Sequence, residues 1–254
     1  MTSKDLFSRQ AATYSKFRPT YPAELFQYIL SFVKNKDVAW DCATGNGQAA
    51  FELANYFDKV FASDISAEQI QHAKTHPKIK YEVSSSEKTE YNDNMFDLIT
   101  VAQAYHWLHL EEFHREALRV GKSDSVIAIW GYDVPTSENQ PLNQLIRMFY
   151  VDIVGPYWDP ERRFIDDHYR TVPFPFEELP AKEFYKTIEW NYDDLCGYLN
   201  SWSSVQHFIK ATNVNPVEEL MGELQKVWGK QQPLTFNFPL FARIGRIAKQ
   251  ITRT

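Results

Sequence analysis

The sequence predicts an α/β fold in which a parallel sheet carries helices on both faces. Apolar strand-like runs alternate with helical runs between residues 38 and 130, and this alternation is typical of parallel sheets. The chain has 254 residues, 44% hydrophobic and 24% charged, which suffices for one sizeable domain with its own core. A glycine turn directly after the first strand is the third observation, because such sheets bind ligands at that edge.

Each element follows from its local pattern of apolar, turn-forming and capping residues. Strands are predicted at residues 38–43, 59–63, 79–83, 96–102, 125–130, 184–190 and 234–244. Helices are predicted at residues 4–14, from Pro22 to about Phe32, and at 47–56, 66–75, 111–120, 195–211 and 217–228. Residues 135–180 hold seven of the thirteen prolines, so this stretch is expected to be an insertion of short helices over the ligand edge.

Composition limits which binding partners and which cellular compartment are expected. The formal net charge is −6 and no dense Lys/Arg run occurs, so a nucleic-acid partner is not expected. The start of the chain has no apolar leader, and no stretch approaches the roughly 18 apolar residues of a membrane span. The only cysteines are Cys42 and Cys196, and reduced thiols suit a cytoplasmic protein. We expect a monomer or a homodimer.

The glycine turn carries the most information. Gly45 and Gly47 lie one residue apart between the first strand and its helix, where glycine lets a ligand approach the backbone. Asp41 precedes Gly45 by four residues, and Asp64 follows it by nineteen at the end of the second strand. With Ala50, the turn also satisfies the looser glycine fingerprint of dinucleotide binding.

The two acids distinguish the possible ligands. A carboxylate beside a pyrophosphate is repelled and opposes the preference of a helix N-terminus for anions. S-adenosylmethionine has an ammonium and a sulfonium but no phosphate, so Asp41 is favourable there, and Asp64 can accept both ribose hydroxyls. The alternative interpretation makes both acids helix caps.

Further motifs give the chain a resemblance to class I S-adenosylmethionine-dependent methyltransferases. The glycine turn, Asp64 and the fourth-strand segment 96–102 are similar to the successive motifs of that class. Narrower motifs resemble the methyltransferase type 11 branch with its trans-aconitate methyltransferase-like enzymes; they are Phe7…Ala12-x-Tyr14-x-x-x-Arg18-Pro19-x-Tyr21-Pro22, Gln103-Ala104-x-His106-Trp107, Trp202-Ser203-Ser204-Val205 and 233–240.

The resemblance implies a Rossmann-like, seven-stranded sheet whose last strand is antiparallel, with helical cap insertions. It implies that Tyr14 and Arg18 reach the methionine carboxylate of the cofactor. An arginine suits this carboxylate because its guanidinium can donate two parallel hydrogen bonds. Ser85 stands where the family commonly has an acidic or long polar residue for adenine, so backbone groups near Ser86 and the side chain of Ile65 are expected to hold that ring. The full set of expected cofactor residues is Tyr14, Arg18, Asp41, Ala43, Gly45, Gly47, Asp64, Ile65, Ser85, Ser86, Ala102 and Gln103.

The residues after the fourth strand are the candidates for the chemistry, because ligands bind beyond the carboxyl ends of parallel strands. His106 is the candidate general base and Trp107 a wall of the reaction site. Equally, His106 can be a structural or orienting histidine, and a carboxylate acceptor needs no base. A metal site of His106, His109 and His114 is not expected, because their spacing does not share one helical face.

We divide the chain into N-terminal helices covering the cofactor (1–36), a core (37–131, 183–190 and 232–254) and substrate-cap insertions (132–182 and 191–231). The expected reaction is in-line methyl transfer to a small-molecule acceptor, with a carboxylate as one candidate. The expected acceptor-binding residues are Tyr157, Trp158, Arg162, Arg163, Trp202 and His207. Two alternatives are a non-catalytic S-adenosylmethionine-binding protein and an NAD-dependent oxidoreductase; Asp41 and the lack of a separate catalytic domain disfavour the second.

Overall fold

The computed structural model describes residues 17–229 and 233–249, and a single sheet of nine strands forms the centre of this part of the chain. The strands are β1 Val38–Cys42, β2 Lys59–Asp64, β3 Ile79–Val83, β4 Phe96–Ala102, β5 Gly121–Tyr132, β6 Thr136–Ser137, β7 Glu177–Leu179, β8 Phe184–Trp190 and β9 Leu234–Arg246.

The order of the strands confirms the predicted sheet. Parallel pairs run β3-β2-β1-β4-β5, and β9 then adds antiparallel to β5. The outer edge of β9 pairs with β7 and β8, and β6 adds a short antiparallel pair. The seven predicted strands are all present. The sheet exceeds the expected seven strands by β6 and β7, which are only two and three residues long.

Helices cover the sheet and connect its strands. They are α1 Ala23–Leu30, α2 Gln48–Leu53, α3 Ala67–Gln71, α4 Leu110–Val120, α5 Gln140–Met148, α6 Arg163–Asp166, α7 Tyr192–Asn200, α8 Ser203–Thr212 and α9 Pro216–Trp228. Tighter or wider helical turns occupy Tyr105–Trp107, Phe149–Ile153, Gly155–Tyr157 and Pro160–Arg162. Among the described residues, no helix combines the length and apolarity needed to cross a membrane.

Besides shifts of up to three residues at other ends, three predicted elements differ more clearly from the structure. The single helix expected at 195–211 is two helices, α7 and α8, because the backbone of Trp202 is extended (φ −73°, ψ 137°). The helix expected at 66–75 ends at Gln71, and the Lys74 carbonyl instead accepts the Tyr81 hydroxyl at 2.9 Å. Strand β5 begins four residues before its predicted start, since Gly121 pairs with Phe96.

Two apolar clusters form the core, one on each face of the sheet. Successive strand residues point to opposite faces, so Ala39 and Trp40 of β1 lie in different clusters, and Trp130 shares the cluster of Ala39. The helices α1, α2, α5, α7, α8 and α9 contribute to the Trp130 cluster, and α4 and α6 contribute to the Trp40 cluster. That the segments 132–182 and 191–231 act as a substrate cap stays a prediction, as does the role of residues 1–36, of which 1–16 lie outside the described residues.

Candidate active site

A cleft opens at the carboxyl ends of β1, β2 and β4, where ligands of parallel sheets bind. It encloses about 1090 Å³, part of which is open solvent. Its lining residues are Arg18, Pro19, Tyr21, Ala43, Thr44, Gly45, Asn46, Gln48, Ala49, Asp64, Ile65, Ser66, Gln69, Ser85, Ser86, Glu87, Ala102, Gln103, Ala104, Trp107, Leu108 and Tyr132. Nine of the twelve expected cofactor residues are among them; Asp41 and Gly47 are not, and Tyr14 lies outside the described residues.

The glycine turn forms the floor of this cleft. Gly45 and Gly47 have φ values of +56° and +81°, which glycine adopts without strain. A Cβ at Gly47 would also collide with the ring of Tyr81. Glycine is therefore required at position 47 by the positive φ value and by the contact with Tyr81, although Gly47 does not line the cleft.

Asp41 supports this floor from below. Its side chain is fully buried, and its carboxylate accepts hydrogen bonds from the Ala50 amide at 3.0 Å, the Thr100 hydroxyl at 2.7 Å and the Thr44 hydroxyl. Burial raises the pKa of Asp41 to about 6, against hydrogen bonds that lower it. The structure thus places Asp41 beneath the cleft, where it ties β1, β4 and α2 to the turn.

Asp64 lies in the cleft at the end of β2. One carboxylate oxygen accepts the Gly45 amide at 2.8 Å and the other accepts the Ser66 amide at 2.8 Å. These two bonds hold the carboxylate between the glycine turn and the start of α3. Each carboxylate oxygen has a further lone pair, so Asp64 can also accept hydrogen bonds from a ligand.

The end of β3 supplies an acid that the sequence analysis did not select. The Ser85 hydroxyl donates to the Glu87 carboxylate, whose other oxygen accepts the His109 amide at 3.1 Å. Ser85, Ser86 and Glu87 all line the cleft. Glu87 therefore supplies an acidic group two residues after Ser85, the position at which the resemblance leads us to expect an acidic or long polar residue.

Residues after β4 and β5 form the opposite wall. Gln103 has φ +55°, and its Oε1 accepts the Tyr132 amide at 3.3 Å. Trp107 closes this wall from the turn Tyr105–Trp107. On the N-terminal side, the Arg18 guanidinium donates to the Tyr132 hydroxyl and to the Ser201 carbonyl, each at 2.9 Å.

His106 lies behind Trp107 and is buried. Its Nδ1 is 2.9 Å from the Tyr169 hydroxyl. Burial, with the nearby positive charge of Arg162, lowers the pKa of His106 to about 3. The imidazole is therefore neutral at physiological pH and suits the orienting role; its action as a base stays a prediction.

The expected acceptor-binding residues lie outside the cleft lining, and three of them, Trp158, Arg162 and Trp202, pack together in an aromatic cluster beside it. The Arg162 guanidinium stacks over the rings of Trp158 at 4.8 Å and Tyr150 at 5.5 Å, and its Nε donates to the Tyr150 hydroxyl at 3.0 Å. Trp202 packs 5.6 Å from both Trp158 and Tyr150. The segment Pro160–Arg162 packs against the turn Tyr105–Trp107, which joins this cluster to the cleft wall.

The two arginines differ in their surroundings. The Arg162 side chain is only 16% exposed, whereas Arg163 is exposed and stacks on Phe164. His207 binds the Tyr157 carbonyl at 3.0 Å through its Nδ1. The structure therefore brings Arg162, Trp158 and Trp202 together and leaves Arg163 at the surface.

Several lining residues carry no sequence signal that we used. Gln69 lies on α3, Tyr132 ends β5, Thr44 and Asn46 flank Gly45 in the glycine turn, and Gln48 begins α2. Thr44, Asn46 and Gln48 could have been found because each directly adjoins Gly45 or Gly47. Gln69 and Tyr132 could not, because only the folded sheet brings them to the cleft. In the described part of the chain, no group of three or more His, Cys, Asp or Glu side chains is placed to hold a metal ion.

Comparisons with known proteins agree with this geometry. A family model described as a methyltransferase domain matches residues 40–129. A protein of Dictyostelium discoideum named as a methyltransferase is 35% identical over 244 residues, which cover 93% of each chain. CRG1 of Saccharomyces cerevisiae, named as an S-adenosylmethionine-dependent methyltransferase, is 25% identical over 170 residues, covering 61% of this chain and 58% of its own.

A solved structure is similar over nearly the whole length. It is that of a protein from Anaeromyxobacter dehalogenans described as a type II methyltransferase, with a TM-score of 0.85 and 34% identity. The match covers 92% of this chain and 100% of the other. The two chains therefore share one fold. On the 35% identity over 93% of its length, this chain belongs to the methyltransferase family.

Proposed function

We propose that the chain transfers a methyl group from S-adenosylmethionine, bound in the cleft, to a small-molecule acceptor that carries a carboxylate. The family and fold support S-adenosylmethionine-dependent methyl transfer in general. The observation that carries the cofactor is Asp64, whose carboxylate is fixed in the cleft beside the glycine turn. The trans-aconitate methyltransferase-like branch is part of the proposal and fits an acidic acceptor.

The lining of the cleft fits a positively charged nucleoside without phosphate. Asp64 and Glu87 are its acids, and Arg18 is the one basic side chain among the described lining residues. Gln69 lines the cleft, and its Oε1 is buried with no hydrogen-bond partner among the described residues. A donor from a bound ligand would satisfy this oxygen, whereas a pyrophosphate would meet two carboxylates.

We infer the role of each group from its position. Asp64 would accept the ribose hydroxyls, Glu87 and Ser86 would lie at the adenine, and Arg18, with Tyr14, would bind the methionine carboxylate. When bound, S-adenosylmethionine supplies a methyl group on a positively charged sulfur. Gln103 and Trp107 would then wall the reacting centre, align the acceptor and exclude water.

Arg162 supports an acidic acceptor. Its two terminal nitrogens make no hydrogen bond within the described residues, and its Nε lies 3.7 Å from the half-exposed Asp166 carboxylate. Stacking on Trp158 and Tyr150 holds the guanidinium plane, so both nitrogens can meet a carboxylate side by side.

We propose the cytoplasm as the compartment, which the two buried, unpaired cysteines support. The proposal includes no nucleic-acid or membrane partner and a monomer or homodimer.

Calorimetry with S-adenosylhomocysteine tests the cofactor. The wild type is expected to bind, and Asp64→Ala to bind about 10- to 100-fold more weakly, because charged hydrogen bonds contribute roughly 1.5–3 kcal/mol. Asp58→Ala is the matched control, since Asp58 is exposed just before β2, at the far end of that strand from Asp64. Binding of NADH instead of S-adenosylhomocysteine would favour the oxidoreductase.

Labelled S-adenosylmethionine tests turnover and the acceptor. Arg162→Gln is expected to raise KM for carboxylate acceptors about tenfold or more, whereas Arg163→Gln stays within about twofold of wild type. Equal turnover of carboxylates and their methyl esters would refute the role of Arg162. Cofactor binding without transfer to any acceptor would favour the non-catalytic binding protein.

A further inference from the structure

Tyr132 presents a hydrogen-bond donor at the cleft for which the protein supplies no acceptor. Its side chain is only 3% exposed, and it lines the cleft at the end of β5. The hydroxyl oxygen accepts Nη1 of Arg18 at 2.9 Å. Because a guanidinium only donates, the hydroxyl hydrogen must point to another group, and no acceptor for it lies within hydrogen-bond distance among the described residues. A buried donor of this kind is costly unless a ligand completes it.

The position of Tyr132 is fixed by its backbone and by its ring. The Tyr132 amide donates to Oε1 of Gln103 at 3.3 Å, and the strand residue itself pairs with Leu240 of β9. The ring meets that of Phe238 edge-on, with 5.7 Å between the centroids and 89° between the planes. The hydroxyl oxygen is therefore held at the cleft wall and cannot swing out to bulk water.

Arg18 lies at the same corner of the cleft. Its Nη2 donates to the Ser201 carbonyl at 2.9 Å, and its guanidinium carbon lies 5.6 Å from the centre of the Tyr198 ring. These contacts and the bond to Tyr132 hold the guanidinium at the cleft lining. A positive charge next to a hydroxyl with a hydrogen to donate suits a carboxylate, which accepts hydrogen bonds at both oxygens.

The two sides of the cleft have opposite polarity. Asp64 ends β2 and Glu87 follows β3, whereas Tyr132 ends β5, and the sheet order is β3-β2-β1-β4-β5. Strands β2 and β5 are three strand spacings apart, which is roughly 14 Å. A ligand that matches both sides offers hydroxyl donors at the acidic side and a carboxylate at the other. In S-adenosylmethionine, the ribose and the methionine carboxylate meet these two requirements.

We propose that the Tyr132 hydroxyl donates a hydrogen bond to the methionine carboxylate of S-adenosylmethionine, beside the Arg18 guanidinium. This rests on the proposed function, which places the cofactor in the cleft. The Tyr132 oxygen accepts from Arg18 while its hydrogen goes to the carboxylate, so one hydroxyl links the protein's cation to the ligand's anion. Tyr132 thereby sets how strongly the protein prefers the complete cofactor over a nucleoside that lacks the amino acid.

Calorimetry on the full chain with two ligands tests the proposal. S-adenosylhomocysteine carries the carboxylate, whereas 5′-methylthioadenosine has the same nucleoside and sulfur without the amino acid. Tyr132→Phe keeps the ring beside Phe238 and removes only the hydroxyl. We expect it to weaken S-adenosylhomocysteine about tenfold or more, because a hydrogen bond to a charged group is lost, and to leave 5′-methylthioadenosine within about twofold of wild type. Tyr185→Phe, at an exposed tyrosine of β8, should match wild type for both ligands.

A second background separates donation to the ligand from support of Arg18. In Arg18→Gln the hydroxyl has no guanidinium to hold, so adding Tyr132→Phe should still weaken S-adenosylhomocysteine about threefold or more. No further loss in that background would mean that the hydroxyl only supports Arg18, and it overturns the proposal. Equal losses for both ligands overturn it too, as does a change confined to the KM of a carboxylate acceptor. A wild type that binds neither ligand overturns the proposed function as well.

Discussion

Asp41→Asn replaces the carboxylate beneath the glycine turn with a neutral group of the same shape. Asp41 is fully buried, and its oxygens accept the Ala50 amide and the Thr100 hydroxyl. The asparagine carbonyl can keep the bond to Ala50, and its amide can donate to Thr100, because a hydroxyl also accepts. The substitution therefore removes a buried charge while the turn keeps its hydrogen bonds.

The magnitude follows from the shift in pKa. Burial raises the pKa of Asp41 from 3.8 to about 6, and one pKa unit corresponds to about 1.4 kcal/mol, which gives about 3 kcal/mol. Between these two pH values the folded protein holds a proton on Asp41 that the unfolded chain has lost. The wild type therefore loses about 3 kcal/mol of unfolding free energy from this group as the pH rises through that window, and Asp41→Asn does not.

Urea unfolding followed by tryptophan fluorescence, from about pH 4 to about pH 7, measures this difference. The free energy of unfolding of Asp41→Asn minus that of wild type should rise by about 3 kcal/mol across the range, since all other groups cancel. Asp58→Asn, at an exposed aspartate, should give a flat difference. A flat difference for Asp41→Asn as well would refute the reasoning that burial governs this carboxyl group.

Two further changes test the turn and the ion pair of α4. Gly47→Ala should lower the melting temperature and weaken S-adenosylhomocysteine binding at least tenfold, because Gly47 has φ +81° and faces Tyr81. By contrast, Gly222→Ala should stabilise the protein by up to about 1 kcal/mol, because Gly222 lies in α9 with open space around it. Glu116→Gln should cost about 1–3 kcal/mol at pH 7, because the buried carboxylate binds Arg119 at 2.7 Å. Burial would raise the pKa of Glu116, but hydrogen bonds from Arg119 outweigh it and lower that pKa below its ordinary value of 4.5. In urea unfolding, the cost of the substitution should therefore shrink as the pH falls below 4.5. A cost that does not depend on pH would contradict the pairing.

Local patterns were enough to predict the sheet and not its irregular additions. The strands from β1 to β5 are each five or more residues long, so their apolar patterns can be recognised in the sequence. Strands β6 and β7 are too short to show a period and form only because β9 offers its backbone. The break between α7 and α8 arises where Trp202 is drawn into the core, which is a tertiary effect.

The candidate site divides in the same way. Gly45, Gly47 and Asp64 were predictable because their chemistry and spacing lie within one strand–turn–helix unit and the next strand. Glu87 was not predicted because it lies two residues beyond the position that Ser85 occupies, and only the folded loop brings its carboxylate to Ser85. Trp158 and Trp202 lie far apart in the sequence with no motif between them, so only the folded chain shows their contact.

A crystal structure with S-adenosylhomocysteine tests the central claim most directly. We predict that the nucleoside lies over the glycine turn, with both ribose hydroxyls on the Asp64 carboxylate and a ligand donor on Gln69 Oε1. The sulfur should face Gln103 and Trp107. A ligand that leaves Asp64 without contact, or density for a nicotinamide or a phosphate in its place, would contradict the account.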